Sequence, residues 1–516
     1  MRSMLLLLLL LGNVMAADAA PSRIVLAGGG AEGDVGDTAA WSYELYHALL
    51  MGGDITGDDV VRVAILATDL GGDPSFLPSY FTWLGTTLDI TAEGVNVEVT
   101  TVAAADDPAV VDVVASCDAV FIKGGDQGLY YDLWNDTRLE VHINGIAMAG
   151  GALGGTSAGA MSWAQYSFSG GADLISRDVL ADAHTVYLDD TSQPGTSGIH
   201  TDFLPFVSGV TIDTHYTQRG RMGRLIGILA RALDDHQRRD LLAIGLERNT
   251  GIVIQNDTAE VHGIGEVAFI QPTLGTWLVR DPGRPLIVTE LRLDRLTEGW
   301  RYDLVAKRPD TDNPPAGVNA ITATGDGSAN VGALDLDGGL EADSALFAAT
   351  ATYYPDDYSL VAAASEPHIH DTVGFTRAGI TAERADKQEN LFRLLYDRPR
   401  VTGMLVFDDS EVSRTSAAPD KLEFGPSGGA PELAVILVDA SRAGYKGLSP
   451  SISNWAADSG SLRAAALTDL RIHVLAESGA RDVRYDSREH VVEGSPVLLA
   501  VDFESGDTSG WSVIVE

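Results

Sequence analysis

The chain has 516 residues, 45% hydrophobic and 21% charged, a globular composition long enough for more than one domain. Its 73 Asp and Glu stand against 35 Lys and Arg, a formal charge of -38 at pH 7 that repels phosphate backbones and anionic lipid headgroups. Neither nucleic-acid binding nor membrane-surface attachment is expected of it.

Residues 1–19 read as an export signal. Arg2 supplies a positive charge, Leu5 to Leu11 a short apolar core, and Ala16, Ala17, Ala19 and Ala20 the small residues of a cleavage region. The expected location is secreted or periplasmic. The leucine run is far short of the roughly 20 residues that span a bilayer, so no stable membrane insertion is expected. The single cysteine, Cys117, excludes an intramolecular disulfide and reads as a packing residue.

From Arg23 to about Ile270 short apolar runs alternate with helical stretches. Residues 23–27, 60–67, 119–122 and 146–149 read as strands, 38–50 as a helix, and the alternation of 95–102 as an edge strand. This rhythm predicts an α/β fold, a mostly parallel sheet with helices on both faces. Open sheets of that kind bind ligands beyond the carboxyl ends of their strands. The glycine segments 28–30, 124–125 and 154–155 should therefore converge.

Beyond Gly275, residues 286–293 and 300–305 read as further strands. The polar, Pro-rich run from Arg308 to Pro315 marks a linker, 308–317, after a catalytic domain of residues 22–307. Residues 318–516 read as a β-rich C-terminal region, with strands at 433–438, 470–474 and 497–501 and a helix at 382–396. No metal or cofactor is expected. His368 and His370 lack further ligands, and the acidic run from Asp335 to Asp343 lacks the spacing of a calcium loop.

The chemistry centres on Gly155-Thr156-Ser157-Ala158-Gly159, between a strand and a helical run. In such an elbow small neighbours permit a tight turn that raises the Ser157 hydroxyl, and the Ala158 N–H faces a developing oxyanion. A serine needs a base, and His215 lies at another predicted strand end. Arg219, Arg221 and Arg224 follow it closely, a basic cluster out of character in an acidic chain. Gly124-Gly125-Asp126-Gln127 could supply a second oxyanion donor and, at Gln127, a substrate contact.

In this order, Gly124 to Gln127, Gly155 to Met161, and Asp213 to Leu225 resemble the motifs of cyanophycinase and its relatives. These are serine peptidases related to peptidase E, on a fold like that of class I glutamine amidotransferases. The resemblance covers about residues 23–270. It implies Ser157 as nucleophile, His215 as base, Glu247 as the acidic third member, and Gly125 with Ala158 as oxyanion hole. Gln127, Asp213, Arg219, Arg221 and Arg224 match substrate-pocket positions. The implied substrate is cyanophycin, a poly-aspartate bearing arginine on its side chains, cleaved to β-Asp-Arg dipeptides; a homodimer is also implied.

Two positions depart from the pattern. Thr214 stands where the family usually has Gln, and Glu247 lies one position early, with Arg248 in the usual Glu place. A one-residue shift on a strand reverses side-chain direction. A peptidase acting on short aspartyl peptides and a secreted binding protein without turnover remain alternatives.

Overall fold

Period-two alternation along short apolar runs organises the centre of the molecule. In strand Ile24–Ala27, Ile24 and Leu26 enter one apolar core while Val25 and Ala27 enter another. Strands Val61–Ala67 and Ala119–Ile122 divide their side chains in the same way. The computed structural model describes residues 20–170, 174–188, 198–217, 219–281 and 283–315, with strand segments between 372 and 494.

Ile24–Ala27, Ala152–Thr156, Ala119–Ile122, Val61–Ala67 and Ala92–Glu98 lie side by side, all parallel. An edge strand is present as expected, but at Ala92–Glu98 rather than 95–102, since Val102 opens the short helix Val102–Ala105. On the other side Thr250–Gln255 and Thr258–Gly263 continue the sheet antiparallel, then Arg301–Asp303 and Arg308–Pro309. Residues 308–309 of the expected linker are thus an edge strand. Helices Tyr43–Leu50 and Phe76–Leu88 cover one face; Pro108–Ala115, Gln127–Trp134 and Arg138–Met148 pack into the core of the other.

Two further local expectations shift. The helix expected from Thr38 starts at Tyr43; residues 38–42 form turns and a bend, and the Ser42 hydroxyl bonds to Tyr80 Oη at 2.9 Å instead of capping the helix. Residues 146–148, expected as strand, complete helix Arg138–Met148, whose buried Leu139, Ile143, Ile146 and Ala147 follow helical spacing. The strand is instead Ala152–Thr156, just beyond Gly150 at φ 87°.

The strands expected at 286–293, 433–438 and 470–474 join a second sheet whose order was not expected. It begins with Val210–Thr214 parallel to Leu242–Leu246, then runs antiparallel through Glu266–Pro272 and Ile287–Thr297. Ala466–Leu475, Val435–Asp439 and Thr402–Phe407 follow in the same sheet, with Thr372–Ala378 parallel beyond them. The β-rich C-terminal region therefore extends a sheet begun in the first half of the chain. A separate four-stranded sheet holds Ser410–Thr415, Ala418–Pro426, Arg484–Asp486 and Val491–Glu493. Residues 1–19, the expected helix at 382–396, the strand at 497–501, His368, His370 and the acidic run from Asp335 lie outside the described residues.

Candidate active site

Ser157 alone joins strand Ala152–Thr156 to helix Ala158–Met161, at φ 53° and ψ -122°. Such a backbone is disfavoured for a residue with a Cβ and persists only where its surroundings determine it. Those surroundings are glycines. A Cβ on Gly155 would lie 2.6 Å from the Gly159 carbonyl carbon, and one on Gly159 would overlap the Ile122 carbonyl. The Gly-x-Ser-x-Gly spacing is thus a packing requirement of the turn, which leaves Ser157 half-buried beyond its strand.

His215 arrives from the second sheet, just past Val210–Thr214, and it too has a positive φ, 49°. Its N–H donates to the Gly28 carbonyl at 2.9 Å, tying it to the first sheet. Its Nε2 lies 2.9 Å from Ser157 Oγ, the contact a hydroxyl needs to pass its proton to an imidazole. Gly29, at φ 95°, presses against the ring so closely that a Cβ would overlap it. Gly124 closes another side, where a Cβ would stand 3.3 Å from that of Ser157. The three glycine segments do meet around one serine–histidine pair.

The other expected residues separate by environment. Asp213 is fully buried; Arg224 Nε donates to its Oδ2 at 2.8 Å and Arg224 Nη2 to its Oδ1 at 2.5 Å. Arg221 adds a contact at 3.3 Å and also donates to the Thr214 carbonyl. Burial pushes the Asp213 carboxyl up, but the Arg224 and Arg221 guanidiniums outweigh it and hold the group below the usual range. The basic run is therefore answered largely from inside the protein. Arg219 is exposed, while Gln127 is buried and its amide donates to the Gly170 carbonyl. Gly125 is exposed beside the Tyr130 hydroxyl, which anchors the loop by donating to the Lys123 carbonyl at 3.0 Å. Ala158 is buried at the start of its helix.

Glu247 follows strand Leu242–Leu246. Its carboxylate accepts from the Thr217 hydroxyl, from the Glu266 N–H at 3.1 Å and from Arg295 at 3.2 Å; Arg295 also pairs with Glu266. Sequence reasoning missed Thr217, Glu266, Arg295 and Tyr130. One signal was available: Arg295 occupies the alternate position after Leu291 and Leu293, where an apolar residue was due. Among the described residues no group of three or more His, Cys, Asp and Glu is placed to hold a metal ion, and no helix is long and apolar enough to cross a membrane.

The elbow brings a serine hydroxyl against an imidazole between glycine loops, and residues 79–261, which hold Ser157, His215 and Glu247, match the model of peptidase family S51. Part of the chain is also similar to known cyanophycinases. The cyanophycinase of Geminocystis herdmanii is 30% identical over 205 residues, 38% of this chain and 66% of that protein. That of Trichormus variabilis is 30% identical over 195 residues, 37% of this chain and 58% of that protein. The chain thus spans less than two thirds of these relatives' length. A crystal structure of a peptidase from an acI-B1 Actinobacterium is 18% identical with TM-score 0.35, over 55% of this chain and 98% of that one.

Proposed function

We propose that the protein is a serine peptidase that hydrolyses cyanophycin or a closely related aspartyl peptide. The observation that carries this reading is the 2.9 Å approach of Ser157 Oγ to His215 Nε2 in a strained elbow. With its proton on Nδ1, the imidazole accepts the Ser157 proton as Oγ attacks the peptide carbonyl. It returns that proton to the departing amine, leaving an acyl-enzyme. Water, deprotonated by the same ring, then releases the acid and restores Ser157.

The Ala158 and Gly125 N–H groups are the proposed donors to the oxyanion. Exposed Arg219 is the proposed partner of a substrate carboxylate. Residues 1–19 support export. The cyanophycinase relatives support the polymer as substrate. The internal pairing of Arg221 and Arg224 favours a second reading, a short aspartyl peptide that requires fewer cations.

The test is digestion of purified cyanophycin by the protein beside Ser157→Ala, with products weighed by mass spectrometry. Release of β-Asp-Arg that disappears in the variant is the expected result. Absence of release from folded protein, with cleavage of short aspartyl peptides, would establish the second reading. Equal release by the variant would remove Ser157 from the mechanism.

A further inference from the structure

We propose that Arg295 is a positioning residue for the reacting pair: it holds Glu247 charged and in place, and through Glu247 the turn that carries His215. This inference rests on the reading of Ser157 and His215 as that pair. The Arg295 side chain is 1% exposed and lies between the carboxylates of Glu247 and Glu266, 14% and 2% exposed. The Glu247 oxygen that meets Arg295 also accepts from Thr217, two residues past His215. One residue earlier, the Tyr216 N–H donates to the Leu246 carbonyl at 3.1 Å. The strand end at 246–247 therefore grips both residues that follow His215. A residue at φ 49° does not hold that conformation unaided, so these anchors contribute to aiming the imidazole.

Charge explains why the anchor needs Arg295. Around Glu247 stand Arg295 and Glu266 from neighbouring strands and the buried Tyr216 hydroxyl on the turn. Asp213, on the adjacent strand, is already answered by Arg221 and Arg224. Without Arg295, two carboxylates would face each other out of water, and one would take up a proton. Thr217 would then face a weakened acceptor and the turn would loosen. Arg295 is delivered by strand Ile287–Thr297, which pairs Ala268 on one side and Leu467 of the C-terminal region on the other. The C-terminal region thus supports the strand that supplies this residue.

The experiment follows the rate at which a small organophosphonate modifies Ser157 across pH, with melting temperature measured in parallel on the full chain. Wild type is expected to label and Ser157→Ala is not. Arg295→Met should label at least tenfold more slowly at pH 7, with the rising limb of its profile moved up by about one pH unit. Arg295→Met/Glu266→Gln should recover most of the rate, because the facing charge is gone, and Arg295→Lys should fall between. A folded Arg295→Met with the wild-type rate and profile would overturn the proposal. If Arg295→Met does not fold, Arg295→Lys and Glu266→Gln carry the test, and wild-type profiles in both would overturn it. Failure of wild type to label would instead remove Ser157 as nucleophile, and the inference with it.

Discussion

At the scale of single residues, close contact around the His215 ring leaves no room for added atoms. Gly29→Ala would put a methyl into the imidazole at a backbone φ of 95°. Turnover is expected to fall roughly 100-fold, the scale of an ångström's misplacement, while circular dichroism stays that of the wild type. Two buried acids should answer pH in opposite senses. Asp213 is held below its ordinary value by Arg224 and Arg221, so its stabilisation is present above about pH 4 and is lost as pH falls further. Asp213→Asn should cost about 3 kcal/mol at pH 7 by leaving two guanidiniums without their buried anion, and less under strong acid. Burial raises Asp294 to about 6 despite Arg292. The native state then holds a proton that the unfolded chain releases near pH 4, so stability declines as pH rises from 4 to 6. Asp294→Asn should raise the melting temperature at pH 8 and leave it nearly unchanged at pH 4.5, read by calorimetry. The meeting of Ser157 and His215 was legible because the proposed chemistry demands particular residues in a particular order. Thr217 and Glu266 were not, since any strand end contains hydroxyls and acids, and their role exists only after two distant strands meet.

Among the elements, the elbow shows how far a motif constrains its neighbours. Gly159→Ala would drive a methyl into the Ile122 carbonyl, so strand Ala119–Ile122 and helix Ala158–Met161 must separate. The expected loss is about 3 kcal/mol, measured by urea unfolding, with labelling of Ser157 abolished. Strands that alternate between two cores, such as Ile24–Ala27, were readable from pattern alone. Residues 146–148 misled because a short apolar run at the end of a helix looks like a buried strand, while the true strand carries Gly154 and Gly155. The mostly antiparallel second sheet was readable only as separate strands, at 286–293, 433–438 and 470–474: its order joins residues far apart in sequence, and local periodicity says nothing about which strands become neighbours.

For the whole molecule, the decisive pairing is Ile287–Thr297 with Ala466–Leu475. Leu291 faces Ile472, Leu293 faces Leu470 and Leu296 faces Ala466, all buried. The Ala434 N–H also donates to the Leu180 carbonyl. A chain ended after Pro315 would expose a long apolar strand edge, which invites pairing with other copies. It should elute as aggregates on size exclusion where the full chain does not; a truncated chain that is monomeric and still modified at Ser157 would refute this. The nucleophile stands on one sheet and its base on the other, so their 2.9 Å separation reports the alignment of two layers. Small slippage between layers needs far less energy than melting either one. Turnover should therefore act as a gauge of that alignment and disappear, on gradual heating, several degrees before the helical signal does.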